Sequence, residues 1–139
     1  MNKRTAICLL VCTALLGGCG SGDGDYANNP RPPAPINVAA AITDDGITVS
    51  PRSFGAGPVV FIIANQTDVA RQITLESDTS EGPGIRQTTS KISPDGTATL
   101  KVDLTSGDYE VTAGGGSLKP AAVKVGPLRE SAQNELLQP

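Results

Sequence analysis

The sequence has no histidine and no tryptophan, and only 3 cysteines and 1 methionine in 139 residues. Without histidine, no imidazole can act as a general base, complete a Ser-His-Asp or Cys-His site, or bind a metal. Positive charge is also scarce, because 11 Lys and Arg stand against 14 Asp and Glu and leave a net charge of -3. Nucleic acid is therefore not an expected partner, since its binding requires a basic surface.

The first 18 residues have the three parts of a secretory signal peptide. Residues 3 and 4 are positively charged, residues 7–16 are apolar, and residues 17 and 18 are glycines. A short positive region, an apolar run and small residues before a cleavage point are typical of such signals. The apolar run is about half of the roughly 20 residues that a spanning helix needs, so we expect cleavage rather than a permanent membrane helix.

The end of this signal is more specific, because Leu16-Gly17-Gly18-Cys19 resembles the lipobox of bacterial lipoproteins. The resemblance implies cleavage between Gly18 and Cys19, and acylation of Cys19 with fatty acids such as palmitate. Two or more acyl chains hold a protein stably on a bilayer. The prediction is a chain anchored through Cys19 to the extracytoplasmic face of the cell membrane, in the periplasm or at the cell surface. An ordinary secreted protein with an incidental cysteine is the alternative.

The rest of the chain divides into a linker, one domain and a tail. Residues 19–40 begin with glycine and aspartate and continue with prolines, which favours a flexible and then stiff tether over a ligand for a proline-binding domain. Residues 41–126 contain short apolar runs separated by turn residues, which predicts a single all-β, Greek-key β-sandwich. Residues 127–139 are expected to form a tail that either makes a short helix or frays.

Several local patterns predict particular elements of that sandwich. The continuous apolar run Val59–Ala64 predicts a central strand covered on both faces, and the alternation over residues 97–104 predicts a half-buried strand. The segment 55–58, with two glycines and a proline, is interpreted as a turn. Residues 65–67 match a glycosylation acceptor pattern, but we interpret them as a turn that follows a strand.

The order of these pieces resembles cupredoxin-like domains over roughly Ile42 to Val125. The residues that carry the resemblance are Ile47-x-Val49-x-Pro51, Phe54-x-Ala56-Gly57-Pro58-Val59-x-Phe61, Ala64-Asn65, Ile92-x-Pro94-x-Gly96-x-x-x-Leu100-x-Val102-x-Leu104 and Gly107-x-Tyr109. The resemblance implies a cupredoxin-like sandwich. Fibronectin-like and immunoglobulin-like modules remain alternatives, because each piece alone is generic for β-sandwiches.

The copper ligands of that family are missing from this sequence. In copper-binding members, a histidine follows the strand-ending asparagine by six residues and a cysteine follows the tyrosine by four. Those positions are Arg71 and Ala113 here, and the next loop, which usually adds a histidine and a methionine, reads Gly-Gly-Gly-Ser at 114–117. Cupredoxin copper needs two imidazoles, a thiolate and a weak axial ligand. The resemblance therefore implies a fold without copper, and no cofactor is predicted.

Charged loop residues are the remaining candidates for a ligand site. They are Asp44, Asp45, Asp78, Glu81 and Arg71. A calcium site would need several oxygen ligands at defined spacing, and no EF-hand pattern occurs, so we interpret the four carboxylates as solvated turn residues. Arg71 is interpreted as a solvated or salt-bridged surface arginine, with anion binding as the alternative.

The sequence thus predicts a protein that is not an enzyme. The expected function is a metal-free, lipid-anchored module that interacts with another envelope protein or with cell-wall material. The alternative is a small-ligand or calcium-type binding module that uses the loop carboxylates. A contiguous exposed apolar patch or an unpaired edge strand would favour the interaction module.

Overall fold

The computed structural model describes residues 31–77, 84–115 and 117–131. Within these ranges the backbone forms eight β-strands and no helix. The strands are β1 Ile36–Thr43, β2 Gly46–Ser50, β3 Ser53–Asn65, β4 Gln72–Ser77, β5 Arg86–Thr88, β6 Thr97–Leu104, β7 Gly107–Gly114 and β8 Ala121–Leu128. The all-β fold class predicted from the alternating pattern is confirmed.

The strands form two sheets that share β3. The first sheet has the order β2-β1-β3-β6, and the second has the order β5-β4-β7-β8 and continues into the first residues of β3. β1 and β8 run parallel to β3, whereas all other neighbouring strands in these two orders are antiparallel. Long connections bring β6 beside β3 and β7 beside β4, as in Greek-key sandwiches.

The inner faces of the two sheets share one aliphatic core. Its fully buried side chains come from both sheets and include Val38, Ile42, Val59, Ile63, Ile73, Leu75, Leu104, Val111 and Val123. Phe54 and Phe61 meet edge to face, with ring centroids 6.4 Å apart. The buried Tyr109 donates its hydroxyl to the Thr105 carbonyl at 2.9 Å, which fixes the connection between β6 and β7 as a tyrosine corner does.

The predicted linker and domain boundaries differ from the structure at both ends. β1 begins at Ile36, so the last five residues assigned to the linker belong to the first sheet. Val38 and Ala40 are buried there, and β1 pairs with β3. Ile36, Val38, Ala40 and Ile42 do alternate as a half-buried strand requires, but the prolines before them favoured a linker. At the other end, β8 continues through Leu128. Residues 132–139 lie outside the described residues.

The segment 55–58 is not the predicted turn but part of β3. Before Gly57 the strand pairs with β8 in the second sheet, and from Gly57 onward it pairs with β6 in the first. The pairing with β8 shifts register between Gly55 and Ala56, and Gly57 has a φ of +116°. Glycine permits this backbone because it has no Cβ. Residues 55–58 are thus the part of β3 that passes from the second sheet to the first.

The apolar run Val59–Ala64 is central in the first sheet, but it is covered on only one face. Phe61 and Ile63 are buried, whereas Ile62 between them is 47% exposed. Successive side chains of a strand point to opposite faces, so a continuous apolar run is buried throughout only if both faces are covered. Nothing among the described residues covers Ile62, and the prediction of burial on both faces is wrong.

Candidate functional site

Asn65, at the end of β3, organises the end of the sandwich where Arg71 and the turn between β1 and β2 lie. Its Nδ2 donates to the carbonyls of Val69, Ile92 and Ser93 at 2.8, 3.0 and 3.2 Å. Its Oδ1 accepts from the backbone N–H and the hydroxyl of Thr67 at 3.1 and 2.8 Å. Asn65 is 1% exposed. The predicted turn after β3 is confirmed, and this one amide ties it to the loop before β6.

Arg71 lies at the same end and reaches the loop that follows β7. Its Nη1 donates to the Gly115 carbonyl at 2.5 Å, and its backbone forms a two-way bridge with Ile92. The Nε atom is buried and has no hydrogen-bond partner. Arg71 is half-buried, and its Nη1 is bonded to a backbone carbonyl rather than to a carboxylate of the described residues. It instead holds the loop after β7 against the start of β4.

Arg71, Ala113 and Gly114, which lie at or beside the positions compared with copper ligands in the sequence, are at this end. Ala113 is opposite Ile73 across β4 and β7, so it lies two residues from Arg71 in register and next to the Gly114–Gly115 pair. Among the described residues, no group of three or more His, Cys, Asp or Glu side chains could hold a metal ion. An arginine bonded to a carbonyl, an alanine and two glycines offer no ligand set for copper.

Of the four predicted carboxylates, the described residues include Asp44 and Asp45. Asp44 and Asp45 are exposed in the turn between β1 and β2, at the Asn65 end of the first sheet. β4 starts at that end and runs away from it, so Ser77 lies about 17 Å from Gln72 along the strand. Asp78 and Glu81 themselves lie outside the described residues.

A cleft of about 270 Å³ lies where β2 meets the start of β8. It is lined by one acidic and two basic side chains, Asp45, Arg52 and Lys119, among backbone and small residues. The β2 edge is closed here, because the Ile47 N–H donates to the Lys119 carbonyl at 2.9 Å. All three charged side chains are exposed, so the cleft lacks the desolvated groups that characterise a catalytic site.

Arg129, just after β8, binds the backbone of two separate segments. Its Nε donates to the carbonyls of Gly55 and Ala56, both at 3.1 Å. Nη2 donates to Pro58 at 2.6 Å, and Nη1 donates to Ala34 at 2.7 Å. The guanidinium thus fastens the residues before β1 to the crossing of β3. We refer to this group of contacts as the Arg129 clasp.

Two glycines make room for the clasp. A Cβ at position 55 would come within 2.6 Å of Arg129 Cγ, and one at position 57 would lie 2.8 Å from Pro33 Cγ. Sequence reasoning missed this cluster, because it placed Arg129 in a tail and read Gly55 and Gly57 as a turn. The available signal was the glycine pair itself, since glycines within a strand often mark the close approach of another segment.

The outer face of the first sheet carries a partly exposed apolar strip, in which Ile62 is exposed and Pro58 and Val60 are half-buried. Pro58, Val60 and Ile62 alternate along β3 on this face, and a surface groove of about 340 Å³ is lined by Pro58 and Val60 together with Pro35. Leu128, which is 67% exposed, lies beside Gly57 at the same end. Single exposed apolar residues are ordinary, whereas a contiguous strip is typical of an interaction surface.

The β6 strand forms the open edge of the same sheet. It pairs with β3 on one side, and no strand lies on its other side among the residues described. Its inward-facing residues Ala98, Leu100 and Val102 are only half-buried for that reason. The strip and this edge are adjacent, because Ile62 is opposite Thr99 in the ladder between β3 and β6.

The described residues contain no helix with the length and apolarity that a membrane crossing requires. No protein-family model matches the sequence. No curated protein matches it significantly. Among solved structures, the chain is similar to auracyanin, reduced with sodium dithionite, from the photosynthetic bacterium Roseiflexus castenholzii, which is a cupredoxin. The TM-score is 0.48 and the identity 13%, over 70% of this chain and 100% of auracyanin.

Proposed function

We propose that this chain is a non-catalytic, lipid-anchored module of the cell envelope, held through Cys19 on the extracytoplasmic face of the membrane. Its sandwich resembles a cupredoxin without the copper ligands, and it binds another envelope protein or cell-wall material. The observation that carries the binding role is the apolar strip Pro58, Val60 and Ile62 on the outer face of the first sheet. The lipobox-like sequence before Cys19 supports the anchor.

The chemistry of the described residues supports a binding role over catalysis. The chain has no histidine, and the charged side chains of the cleft beside β2 are exposed. Arg71 and Arg129 make hydrogen bonds to backbone carbonyls, so these cations are engaged in holding the fold. The alternative, a calcium-type site, would have to join Asp44 and Asp45 to carboxylates that follow the far end of β4.

The anchor is tested with a Cys19→Ala variant expressed in a bacterium that processes lipoproteins. We expect the wild-type chain in the membrane fraction, labelled by a clickable palmitate analogue, and the variant without label. A Ser21→Ala variant is the matched control, because it changes a neighbouring residue without removing the acylated thiol. Equal labelling of the Cys19→Ala and wild-type chains would contradict the anchor.

The binding role is tested by placing a charge on the strip. Ile62→Asp should abolish the cross-links that form in intact cells between the strip and its partner. The new carboxylate would lose its hydration when the partner covers the strip, which is unfavourable. Thr112→Asp, on the outer face of the second sheet, is the control with the same added charge. Binding that is equally sensitive to both substitutions would show that the strip is not the contact surface.

A further inference from the structure

The open edge of β6 has a charge pattern that is complementary to itself. Lys101 and Asp103 are exposed on the outer face, and the half-buried Val102 lies between them. In an antiparallel pair of two β6 strands centred on Val102, Lys101 of each copy is directly opposite Asp103 of the other. Opposite charges at directly opposed positions favour a strand pairing, whereas like charges oppose it.

The backbone hydrogen bonds of β3 show which groups of β6 point outward. The Asn65 N–H donates to Gly96 on the β6 side of β3, whereas the Pro58 carbonyl accepts from Arg129 on the other side. Alternate residues of a strand direct their backbone groups to opposite sides. The backbone N–H and C=O groups of odd-numbered β3 residues therefore point to β6. Their partners on β6 are even-numbered, as Val59 and Val102 show.

The odd-numbered residues of β6 are thus left with outward N–H and C=O groups. These residues are Thr97, Thr99, Lys101 and Asp103. In a second β6 strand that pairs about Val102, Asp103 is opposite Lys101 of the first. Both residues direct their backbone N–H and C=O groups toward the partner strand, as a hydrogen-bonded antiparallel pair requires. The charge pattern and the backbone direction therefore select the same register.

We propose that β6 pairs with β6 of a second copy of this chain about a two-fold axis at Val102, which joins the two first sheets into one. Each Lys101–Asp103 pair then exchanges two backbone hydrogen bonds and forms an ion pair on the outer face. The inward Val102 side chains meet at the axis, and Leu100 is opposite Leu104 of the second copy. Apolar surface that is half-exposed in one copy becomes covered.

The position of Pro35 agrees with this arrangement. Pro35 lines the groove with Lys101, Val102 and Asp103, so each chain enters its domain beside the axis. A two-fold axis perpendicular to a continuous sheet keeps both outer faces on one side. Pro35 of both copies therefore lies on that side, as two chains anchored in one membrane require. This last point rests on the proposed lipid anchor, whereas the pairing itself does not.

The test is analytical ultracentrifugation of the purified full chain in a density-matched detergent. We expect a monomer–dimer equilibrium whose Kd rises about tenfold in Lys101→Asp and in Asp103→Lys, because each substitution creates two like-charge pairs per dimer. The double exchange should restore the wild-type Kd. An equimolar mixture of the two single variants should also dimerise as the wild type does, because each then faces its complement. Lys91→Asp and Asp68→Lys, exposed in loops, are the charge-matched controls and should leave Kd unchanged.

Three outcomes would overturn the pairing. They are a chain that stays monomeric, a dimer that Lys101→Asp does not weaken, and single variants that the mixture does not restore. A monomer that uses β6 to bind an extended segment of a different protein is one case of the first outcome. None of these results bears on acylation of Cys19 or on the Ile62 contact, so a failure of the pairing can be told apart from a failure of the proposed function.

Discussion

Arg129→Ala should destabilise the domain more than any other substitution of a surface-accessible charged residue. The side chain donates to four carbonyls, those of Ala34, Gly55, Ala56 and Pro58, at distances from 2.6 to 3.1 Å. A hydrogen bond to a charged group contributes about 1.5–3 kcal/mol, but bonds that share one group are not additive. We expect a loss of about 2–4 kcal/mol, a large fraction of the roughly 5–15 kcal/mol that holds a typical domain.

Urea unfolding followed by far-UV circular dichroism measures this loss. Arg129→Lys should recover only part of the stability, because one ammonium group lacks the planar fork that reaches several carbonyls. Arg86→Ala is the matched control. Its guanidinium lies 3.7 Å from the Glu76 carboxylate and the arginine side chain is 73% exposed, and such surface pairs contribute little. A loss below about 0.5 kcal/mol for Arg129→Ala, no larger than that of the control, would refute the reasoning.

Four further substitutions test the fold. Asn65→Asp should lower the free energy of unfolding in urea by about 2–4 kcal/mol, because a buried carboxylate cannot donate to the three carbonyls that the amide now contacts. An unchanged free energy of unfolding would contradict the role of that amide. Ile63→Ala should lower the free energy of unfolding by about 2–5 kcal/mol, and Ile62→Ala should lower it by less than about 1 kcal/mol, since only Ile63 is buried. Equal losses would show that β3 is covered on both faces. Tyr109→Phe should cost about 1 kcal/mol through loss of the bond to Thr105, and an unchanged thermal midpoint would mean that this bond contributes nothing.

The strands could be predicted because their signal is local. The alternation over β6 and the inward Val111 and Val123 follow from a repeat of two, which requires no knowledge of distant contacts. The turn after Asn65 could also be predicted from the local sequence. The absence of histidine limited the site chemistry in the same way, because it excludes a residue type wherever the chain folds.

What sequence reasoning missed depends on contacts between distant segments. Arg129 acts on carbonyls 71 to 95 positions away, and only the glycine pair at 55 and 57 hinted at that approach. Ile62 looks like its buried neighbours in the sequence, because exposure depends on whether another layer covers the sheet. Arg71 donates to the backbone carbonyl of Gly115 rather than to an acidic side chain, and no local sequence pattern indicates this contact.

The most direct test of the proposed binding role is site-specific photo-cross-linking in living cells. A photoreactive amino acid at position 62 is compared with one at position 110, which lies on the outer face of the second sheet. We predict that position 62 captures one discrete partner in the envelope, that Ile62→Asp chains fail to compete for it, and that position 110 captures none. Equal capture from both positions, or no discrete product from position 62 in membrane-anchored chains, would contradict a binding surface on the first sheet.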